Sequence, residues 1–242
     1  MIVTENLVKR FGPNIAVNNL NLQIEEGEFF CFLGPNGAGK TTTIKMLTGL
    51  IRPTSGRASL HGIDIQEDPV KTKSMLGYIP DTPFLYDKLT GREFLRFVAG
   101  LYEIEESIVR TEGEELLEMF EISHVGDQLI ENYSHGMRQK LSFATCFMHA
   151  PKVVVVDEPW VGLDPKNIRF VKNFLKEKTR DGVTVFMSTH SLSVIEDVAD
   201  RIGIIYGGNL LHVGTLDEIL SLANDPGSLE DVFLQITQEQ EQ

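Results

Sequence analysis

A glycine-rich run at residues 34–42 lies between a strand pattern and a helix pattern, and this order limits the folds that the chain can adopt. The run reads GPNGAGKTT and fits G-x-x-x-x-G-K-[ST]. The apolar residues 29–33 precede it, and residues 41–50 follow it with helical spacing. In this order, backbone N–H groups and the start of the helix can point together at phosphate oxygens. The run predicts a loop that binds the phosphates of a nucleoside triphosphate, and a glycine-rich turn without a ligand is the weaker alternative.

Individual residues of this loop have separate expected tasks. Gly34, Gly37 and Gly39 allow turns that a Cβ atom would obstruct. Lys40 can reach the β- and γ-phosphates, and the Thr41 hydroxyl can ligate Mg²⁺. The loop residues expected to contact the nucleotide are Asn36, Gly37, Ala38, Gly39, Lys40, Thr41 and Thr42.

A second element of the predicted site is the valine run at residues 153–156, which ends in Asp157, Glu158 and Pro159. A continuous apolar run is typical of a strand buried on both faces, and such a strand delivers the next side chains to the ligand-binding edge of an α/β sheet. We expect Asp157 to bind Mg²⁺ opposite Thr41, and Glu158 to polarise a water for attack on the γ-phosphate. The alternative, a core strand that ends in solvated acids, is less favoured because a phosphate loop is present.

Composition narrows the class of partner. The 242 residues carry a formal net charge of −13 with no long basic run, which argues against non-specific binding of nucleic acid. Cys31 and Cys146 lie in apolar patterns and are expected to be reduced core residues of a cytosolic protein. No apolar segment approaches the ~20 residues that span a membrane, and the first residues lack the apolar core of a signal peptide. Any membrane role is therefore expected to come through a partner.

Strand patterns alternate with helix patterns, which predicts a mostly parallel sheet covered by helices. Residues 1–8 and 20–26 are expected to be paired strands around a turn at residues 12–14, and residues 215–218 fit a helix capping box. Residues 90–149 show helical spacing with no good strand pattern. The expected division is a core at about 1–88 and 151–223, an inserted helical subdomain at about 89–150, and a C-terminal helix with a frayed tail at 224–242. Further short strands are expected at 56–60, 77–79, 183–187 and 202–205, with a hairpin turn at 207–209.

A third motif, between the two phosphate elements, reads Tyr133-Ser134-His135-Gly136-Met137. It resembles the signature sequence, usually LSGGQ, of the ATPase subunits of ABC transporters, and the resemblance extends over nearly the whole chain. Tyr133, His135 and Met137 depart from the family pattern, and His135 is expected to face solvent rather than to donate to phosphate. The resemblance implies that Ser134, also a good helix N-cap, and Gly136 face the γ-phosphate of ATP held by the other subunit of a dimer.

The same resemblance implies a fold and a pair of cofactors. The expected fold is α/β, of the P-loop NTPase (RecA-like) kind. It has a mostly parallel sheet, an antiparallel β subdomain and an inserted α-helical subdomain. A single ABC ATPase domain is expected over residues 1–235. The implied cofactors are ATP and Mg²⁺.

Further site residues are implied by position. His190 follows a strand pattern and matches the family's switch histidine at the γ-phosphate, although a structural histidine is the alternative. Phe11 stands where the family stacks an aromatic ring on adenine, with a plain core residue as the alternative, and Val17 is placed among the nucleotide contacts. Residues 162–165 resemble the D loop that touches the partner subunit, and Asp164 before a proline is equally a helix N-cap.

Asp81 is the departure from the family pattern with the clearest chemical consequence. The family usually has glutamine after the strand ending in Gly-Tyr-Ile-Pro, and that glutamine approaches Mg²⁺ and the attacking water. Aspartate is shorter by a methylene and carries a charge, so it is expected to bind the metal more tightly but to reach less far. The expected metal ligands are Thr41, Asp157 and Asp81.

The resemblance implies an ATPase that docks beneath a separate transmembrane permease. Lys40, Glu158 and His190 are the expected catalytic residues. Residues 82–90 are expected to receive the permease, through Phe84, Leu85 and Tyr86 if those side chains are exposed rather than part of the protein's own core. The signature and the segment 229–233 look like the branch that powers ABC-2-type, drug-exporter-like permeases. The dimer partner is expected to be a second copy or a paralogue, and the location cytoplasmic, on the inner face of the membrane.

Other functional classes fit the sequence less well. A soluble, non-transport ABC ATPase acting on nucleic acid or the ribosome is disfavoured by the acidic balance and by the single phosphate loop. A kinase or GTPase is disfavoured because no Asn-Lys-x-Asp element for guanine is present. A regulatory ATP-binding module without hydrolysis is disfavoured because the expected catalytic residues are all present.

Overall fold

The computed structural model describes residues 1–160, 163–222 and 228–238. Its strands are β1 (Ile2–Phe11), β2 (Asn14–Ile24), β3 (Phe29–Leu33), β4 (Ser55–Leu60), β5 (Ile63–Asp64), β6 (Leu76–Ile79), β7 (Val153–Asp157), β8 (Thr184–Thr189), β9 (Arg201–Tyr206) and β10 (Asn209–Gly214). Its α-helices are α1 (Lys40–Leu47), α2 (Pro69–Ser74), α3 (Gly91–Leu101), α4 (Glu106–Met119), α5 (His135–Phe147), α6 (Pro165–Arg180), α7 (Leu192–Val198), α8 (Leu216–Leu220) and α9 (Leu229–Gln238).

The N-terminal part of the chain forms an antiparallel sheet with the strand order β2-β1-β4-β5. Strands β1 and β2 reach the turn at Gly12 from both sides, so they differ from the predicted strands at 1–8 and 20–26. The register between them shifts around Asn6, whose φ is 48°. Such bulges interrupt the alternation of side chains along a strand, which is why the pattern indicated shorter strands than the structure has.

The second sheet has the order β10-β9-β3-β8-β7-β6. All neighbouring strands in it are parallel except β10, which pairs antiparallel with β9 through the predicted turn at residues 207–209. Parallel sheets are covered by helices on both faces, so their strands become continuously apolar. The valines of β7 show this, since Val153–Val156 have no exposed surface. The predicted mostly parallel sheet is confirmed.

Strand β3 contributes to a separate hydrophobic core on each face of this sheet. Phe30 and Phe32 belong to one core, in which Phe186 of β8 lies 5.8 Å and 5.3 Å from them between ring centroids. Cys31 and Leu33, which alternate with the phenylalanines, belong to the other core. The burial of β3 on both faces holds its C-terminal end rigidly where the phosphate loop begins.

Helices α3, α4 and α5 lie in sequence between β6 and β7, where the helical spacing was found. Helix α3 begins with a complete capping box between Thr90 and Glu93, and Ser134 is the N-cap of α5. Tyr133, which departs from the family pattern, is buried and its hydroxyl donates to the Val125 carbonyl at 2.8 Å. The tyrosine thus packs as a core residue just before α5. We propose that these helices form the inserted helical subdomain.

The structure also bears on the predictions about the two cysteines, the capping box at residues 215–218 and membrane-spanning segments. Cys31 and Cys146 are free and buried, as expected, and burial raises the pKa of both thiols far above the ordinary value. Helix α8 begins with the predicted capping box at residues 215–218. Within the described residues, no helix combines the length and apolar character needed to cross a membrane. The tail at 239–242 and the expected core boundary at 223–224 lie outside the described residues.

The C-terminal ends of β3, β8 and β7 lie side by side because these strands are neighbours in the sheet. Leu33 pairs with Thr189, and Asp157 pairs with Ser188. The loop after β3, the acids after β7 and the histidine after β8 therefore meet at one edge of the sheet, where α/β folds bind ligands.

Candidate functional site

The phosphate loop depends on its glycines for two different reasons. Gly37 has a φ of 81° with no atom within 4 Å of an added Cβ, so only its backbone conformation requires glycine. At Gly34 an added Cβ would lie 2.4 Å from the Ile205 carbonyl oxygen, so close packing requires glycine there. Gly39 combines both reasons, with a φ of 108° and an added Cβ at 2.4 Å from the Ala16 oxygen.

Lys40 is the first residue of α1 and is only 6% exposed. Its Nζ donates to the carbonyl oxygens of Gly34 and Pro35 at 2.6 Å and 3.1 Å, and it lies 3.9 Å from Glu158 Oε1. Burial lowers the pKa of Lys40, and the nearby carboxylates of Glu158 and Asp157 oppose this effect. The loop carbonyls thus hold the ammonium group beside the start of the helix, where phosphate oxygens can replace them as acceptors.

The two acidic residues at the end of β7 have different environments. Asp157 is 2% exposed and accepts a hydrogen bond at Oδ1 from the Ser188 hydroxyl. Glu158 has a φ of 45°, which is uncommon for a residue with a side chain and is found at functional sites. His190 Nδ1 lies 2.8 Å from Glu158 Oε1. The structure therefore brings together Lys40, Glu158 and His190, which are the predicted catalytic residues.

These residues surround a cleft of about 610 Å³. The predicted residues that line it are Phe11, Asn36, Gly37, Gly39, Lys40, Thr41, Thr42, Asp81, Asp157, Glu158 and His190. Phe11 is 51% exposed, so the alternative of a core residue is wrong. Lys9 Nζ lies 5.1 Å from the centroid of the Phe11 ring and donates to the Arg52 carbonyl, so the cation covers one side of the ring.

Other predicted contacts do not reach this cleft. Val17 and Ala38 are buried at 0% and 2% exposure. Val17 Cγ2 would be 3.4 Å from a Cβ added at Gly39, so Val17 packs against the phosphate loop. It is not among the residues that line the cleft. Ser134 and Gly136 also lie outside the cleft of their own chain; the Met137 N–H donates to Ser134 Oγ at 3.3 Å, as expected of an N-cap.

Several residues of the site were missed in the sequence. Asn14, Ile15 and Ala16 at the start of β2 line the cleft, and so does Gly207 in the β9–β10 turn. They belong to no nucleotide-binding motif, and their approach to the cleft depends on how the two sheets pack. Ser188 was also missed, although its position two residues before His190 in a strand pattern was available as a signal.

The oxygen donors of the cleft suit Mg²⁺. Thr41 offers an exposed hydroxyl, and Asp157 and Asp81 offer carboxylates, of which Asp81 Oδ1 accepts the Thr82 N–H at 2.8 Å. Among the described residues, no group of three or more His, Cys, Asp and Glu side chains could hold a metal ion by itself. Mg²⁺ commonly binds through one or two carboxylates together with substrate phosphates, so this donor set fits a metal that arrives with a nucleotide.

Comparison with known proteins identifies the family. The family described as "ABC transporter" matches residues 17–161, which is more than half of the chain and includes the phosphate loop, the signature motif and both acids of β7. The chain belongs to the ABC transporter family. Among curated ABC proteins, the bacitracin transport ATP-binding protein BcrA of Enterococcus faecalis is 37% identical over 220 residues, which cover 90% of this chain and 70% of BcrA.

Solved ABC structures share the fold. An ATP-binding subunit of an ABC transporter superposes with a TM-score of 0.92 at 30% identity and covers 98% of this chain and 99% of its own. The ATP-binding cassette MJ0796, seen as a dimer in a post-hydrolysis state with ADP and Pi, superposes with a TM-score of 0.82 at 26% identity over 89% of this chain and 99% of its own. The predicted family, the P-loop α/β fold and the assignment as an ATP-hydrolysing subunit are confirmed.

Proposed function

We propose that this ABC ATPase subunit hydrolyses Mg-ATP between two subunits and drives export through a separate transmembrane permease. The observation that carries the proposal is the convergence of Lys40, Glu158 and His190 at the ends of three adjacent parallel strands. Similarity to BcrA, a bacitracin transport ATP-binding protein, supports a transport role.

The phosphates bind at the loop and the start of α1. The main-chain N–H groups there and the Lys40 ammonium supply positive charge where the β- and γ-phosphates lie. Phe11 offers its exposed ring to the adenine at the other end of the cleft. Thr41, Asp157 and Asp81 would hold Mg²⁺, which when bound neutralises phosphate charge and orients the γ-phosphate.

Hydrolysis requires a base next to the γ-phosphate, and Glu158 is the carboxylate in that position. Its strained backbone and its contact with His190 fix its side chain at the edge of the cleft. Glu158 accepts a proton from the attacking water, and His190 and Lys40 stabilise the charge that develops on the phosphate oxygens. General-base catalysis of this kind accelerates reactions by about 10²–10⁴-fold.

A second subunit completes the site under this proposal. Ser134 caps α5 and Gly136 lies in its first turn, but both are outside their own cleft, so they are available to the γ-phosphate held by a partner cassette. The dimeric form of MJ0796 supports this arrangement. The partner is a second copy of this chain or a paralogue.

The permease is proposed to dock in a groove of about 700 Å³ next to the nucleotide cleft. Phe84 is 92% exposed on the lip of this groove, and Tyr86 nearby is 57% exposed, whereas Leu85 packs on the core. Asp81 lines both the groove and the nucleotide cleft. A permease segment seated here contacts the element that carries a metal-site carboxylate, which couples docking to hydrolysis and holds the subunit at the inner face of the membrane.

The Glu158→Gln variant tests the proposed function. It keeps the size and polar contacts of the side chain but removes the base, so phosphate release is expected to fall by about 10²-fold or more while ATP binding persists. Light scattering after gel filtration is expected to show a dimer of this variant only with ATP. A variant that stays monomeric at saturating ATP, or hydrolyses at the wild-type rate, contradicts the proposal. Wild-type protein that releases no phosphate would favour a regulatory module instead.

A further inference from the structure

Ser188, near the end of β8, has no exposed surface and contacts both acidic residues of the cleft. Its hydroxyl donates to Asp157 Oδ1, and its carbonyl oxygen accepts the Glu158 N–H at 3.1 Å. The register of β7 and β8 places Asp157 opposite Ser188. A single residue of the neighbouring strand thus holds the side chain of one acid and the main chain of the other.

The hydroxyl contact has a specific consequence for Asp157. This carboxylate is 2% exposed, and a buried carboxylate that loses a hydrogen-bond donor is left poorly solvated. Within the described part of the chain, the bond from Ser188 is the one that the Asp157 side chain accepts. It engages Oδ1, and among the described residues no hydrogen bond to Oδ2 is found. The contact therefore selects one rotamer of Asp157 and one oxygen for a ligand.

The main-chain contact acts on Glu158 separately. Glu158 has a φ of 45°, a conformation that costs about 1–3 kcal/mol and persists only when its surroundings enforce it. The hydrogen bond from its N–H to the Ser188 carbonyl is part of that enforcement. Because this bond involves only the backbone, replacing the Ser188 side chain removes the Asp157 contact and leaves the Glu158 contact in place.

We propose that Ser188 is a positioning residue for the metal site: its hydroxyl orients Asp157 so that one carboxylate oxygen is presented to Mg²⁺. The proposal rests on the proposed function, in which Asp157 binds the metal that accompanies ATP. It predicts that Ser188 controls metal affinity rather than nucleotide affinity. At saturating metal, catalysis by Glu158 is expected to be much less affected.

The test compares Ser188→Ala with wild type in two measurements. The first is the Mg²⁺ concentration for half-maximal phosphate release at fixed ATP, and the second is Mn²⁺ binding to the protein–ADP complex followed by electron paramagnetic resonance. Loss of a hydrogen bond to a charged group is expected to raise both constants by about tenfold or more. ADP affinity in EDTA is expected to stay within about twofold of wild type.

Thr184→Val is the matched control. Thr184 is in the same strand and equally buried, and its hydroxyl bonds to the Gly27 N–H and the Glu25 carbonyl at the end of β8 remote from the cleft. Its replacement is expected to lower stability without changing the metal constants. Ser188→Thr keeps the hydroxyl and should restore them, whereas Ser188→Cys keeps the size but donates weakly and should not. If Ser188→Ala fails to fold, the comparison of threonine with cysteine carries the test.

Two results overturn the role of Ser188. One is unchanged Mn²⁺ binding in Ser188→Ala, and the other is an equal loss of metal affinity in Thr184→Val, which indicates a general effect of stability. A wild-type protein without Mg²⁺-dependent turnover overturns the proposed function itself. Normal wild-type turnover beside an unaffected Ser188→Ala overturns only the positioning role.

Discussion

Alanine substitutions at Gly37 and Gly39 separate backbone conformation from close packing in the phosphate loop. Both residues have a positive φ, of 81° and 108°, which costs a residue with a Cβ about 1–2 kcal/mol. Alanine also reduces the entropy of the unfolded chain, which offsets about 0.4–1 kcal/mol. Gly37→Ala has no neighbour within 4 Å of the new Cβ, so the free energy of unfolding is expected to fall by only about 1 kcal/mol.

Gly39→Ala adds a steric term. The new Cβ would lie 2.4 Å from the Ala16 carbonyl oxygen, and real Cβ contacts essentially never come below 3.0 Å. That oxygen is backbone and cannot rotate away, so β2 or the loop has to move. Overpacking of this kind costs about 1–3 kcal/mol, which makes the total loss about 2–4 kcal/mol.

Urea denaturation followed by circular dichroism measures both losses, and binding of a fluorescent ATP analogue reports whether the loop keeps its shape. Gly62→Ala is the control, since Gly62 has a φ of 76° with open space around it in the β4–β5 turn and should match Gly37→Ala in stability. Equal losses for Gly37→Ala and Gly39→Ala would refute the steric argument. So would normal nucleotide affinity in Gly39→Ala.

Three further predictions concern adenine stacking, the metal site and the pH dependence of stability. Phe11→Ala is expected to weaken ATP binding by about 1–3 kcal/mol but to leave tripolyphosphate binding unchanged, because stacking on the adenine ring is lost. Phe84→Ala is the control, because Phe84 lines the proposed permease groove and not the nucleotide cleft. Equal ATP affinity in the two variants would count against stacking. Asp81→Asn is expected to reduce Mg²⁺-dependent turnover with ATP binding in EDTA intact, and unchanged turnover would exclude a metal role. Burial raises the pKa of Glu28, and the Glu25 N–H and the charge of Arg201 oppose part of this rise. The Glu28 carboxyl group therefore stays protonated to higher pH in the folded state than in the unfolded chain. The stability of wild type relative to Glu28→Gln should therefore fall as pH rises from about 4 through the pKa of Glu28 in the folded state. The urea midpoints of the two proteins measure this difference in stability. A difference that stays constant with pH would contradict the raised pKa of Glu28.

The motifs were predictable because each is local in sequence. The phosphate loop, the run ending in Asp157 and Glu158, and His190 after a strand each combine a strand pattern with a chemically distinctive end. Once the sheet is known to be parallel, the C-terminal ends of the three strands that carry these motifs must lie at one edge of the sheet. Their convergence could therefore be predicted from the sequence and the resemblance together.

The remaining site residues depend on contacts between distant segments. Ala16 approaches Gly39 through its carbonyl oxygen, which no side-chain pattern reveals. Val17 was predicted to contact the nucleotide; its apolar side chain is buried against the loop and is not among the residues that line the cleft. The early end predicted for β1 was wrong because the register with β2 shifts again between Leu7 and Arg10, which disrupts the alternation on which strand prediction depends. The predicted D loop is partly outside the described residues, but Asp164 does cap α6 as expected, by accepting the Asn167 N–H at 2.8 Å.

Measuring ATP binding and ATP turnover side by side in Lys40→Ala and Glu158→Gln tests whether the cleft binds and hydrolyses ATP as proposed. The first variant removes the cation proposed to face the phosphates, and the second removes only the proposed general base. Lys40→Ala is expected to lose both the ATP-induced rise in melting temperature and phosphate release. Glu158→Gln is predicted to keep the thermal shift and lose phosphate release by about 10²-fold or more. Normal ATP binding and turnover in Lys40→Ala, or wild-type turnover in Glu158→Gln, would contradict the roles proposed for these two residues.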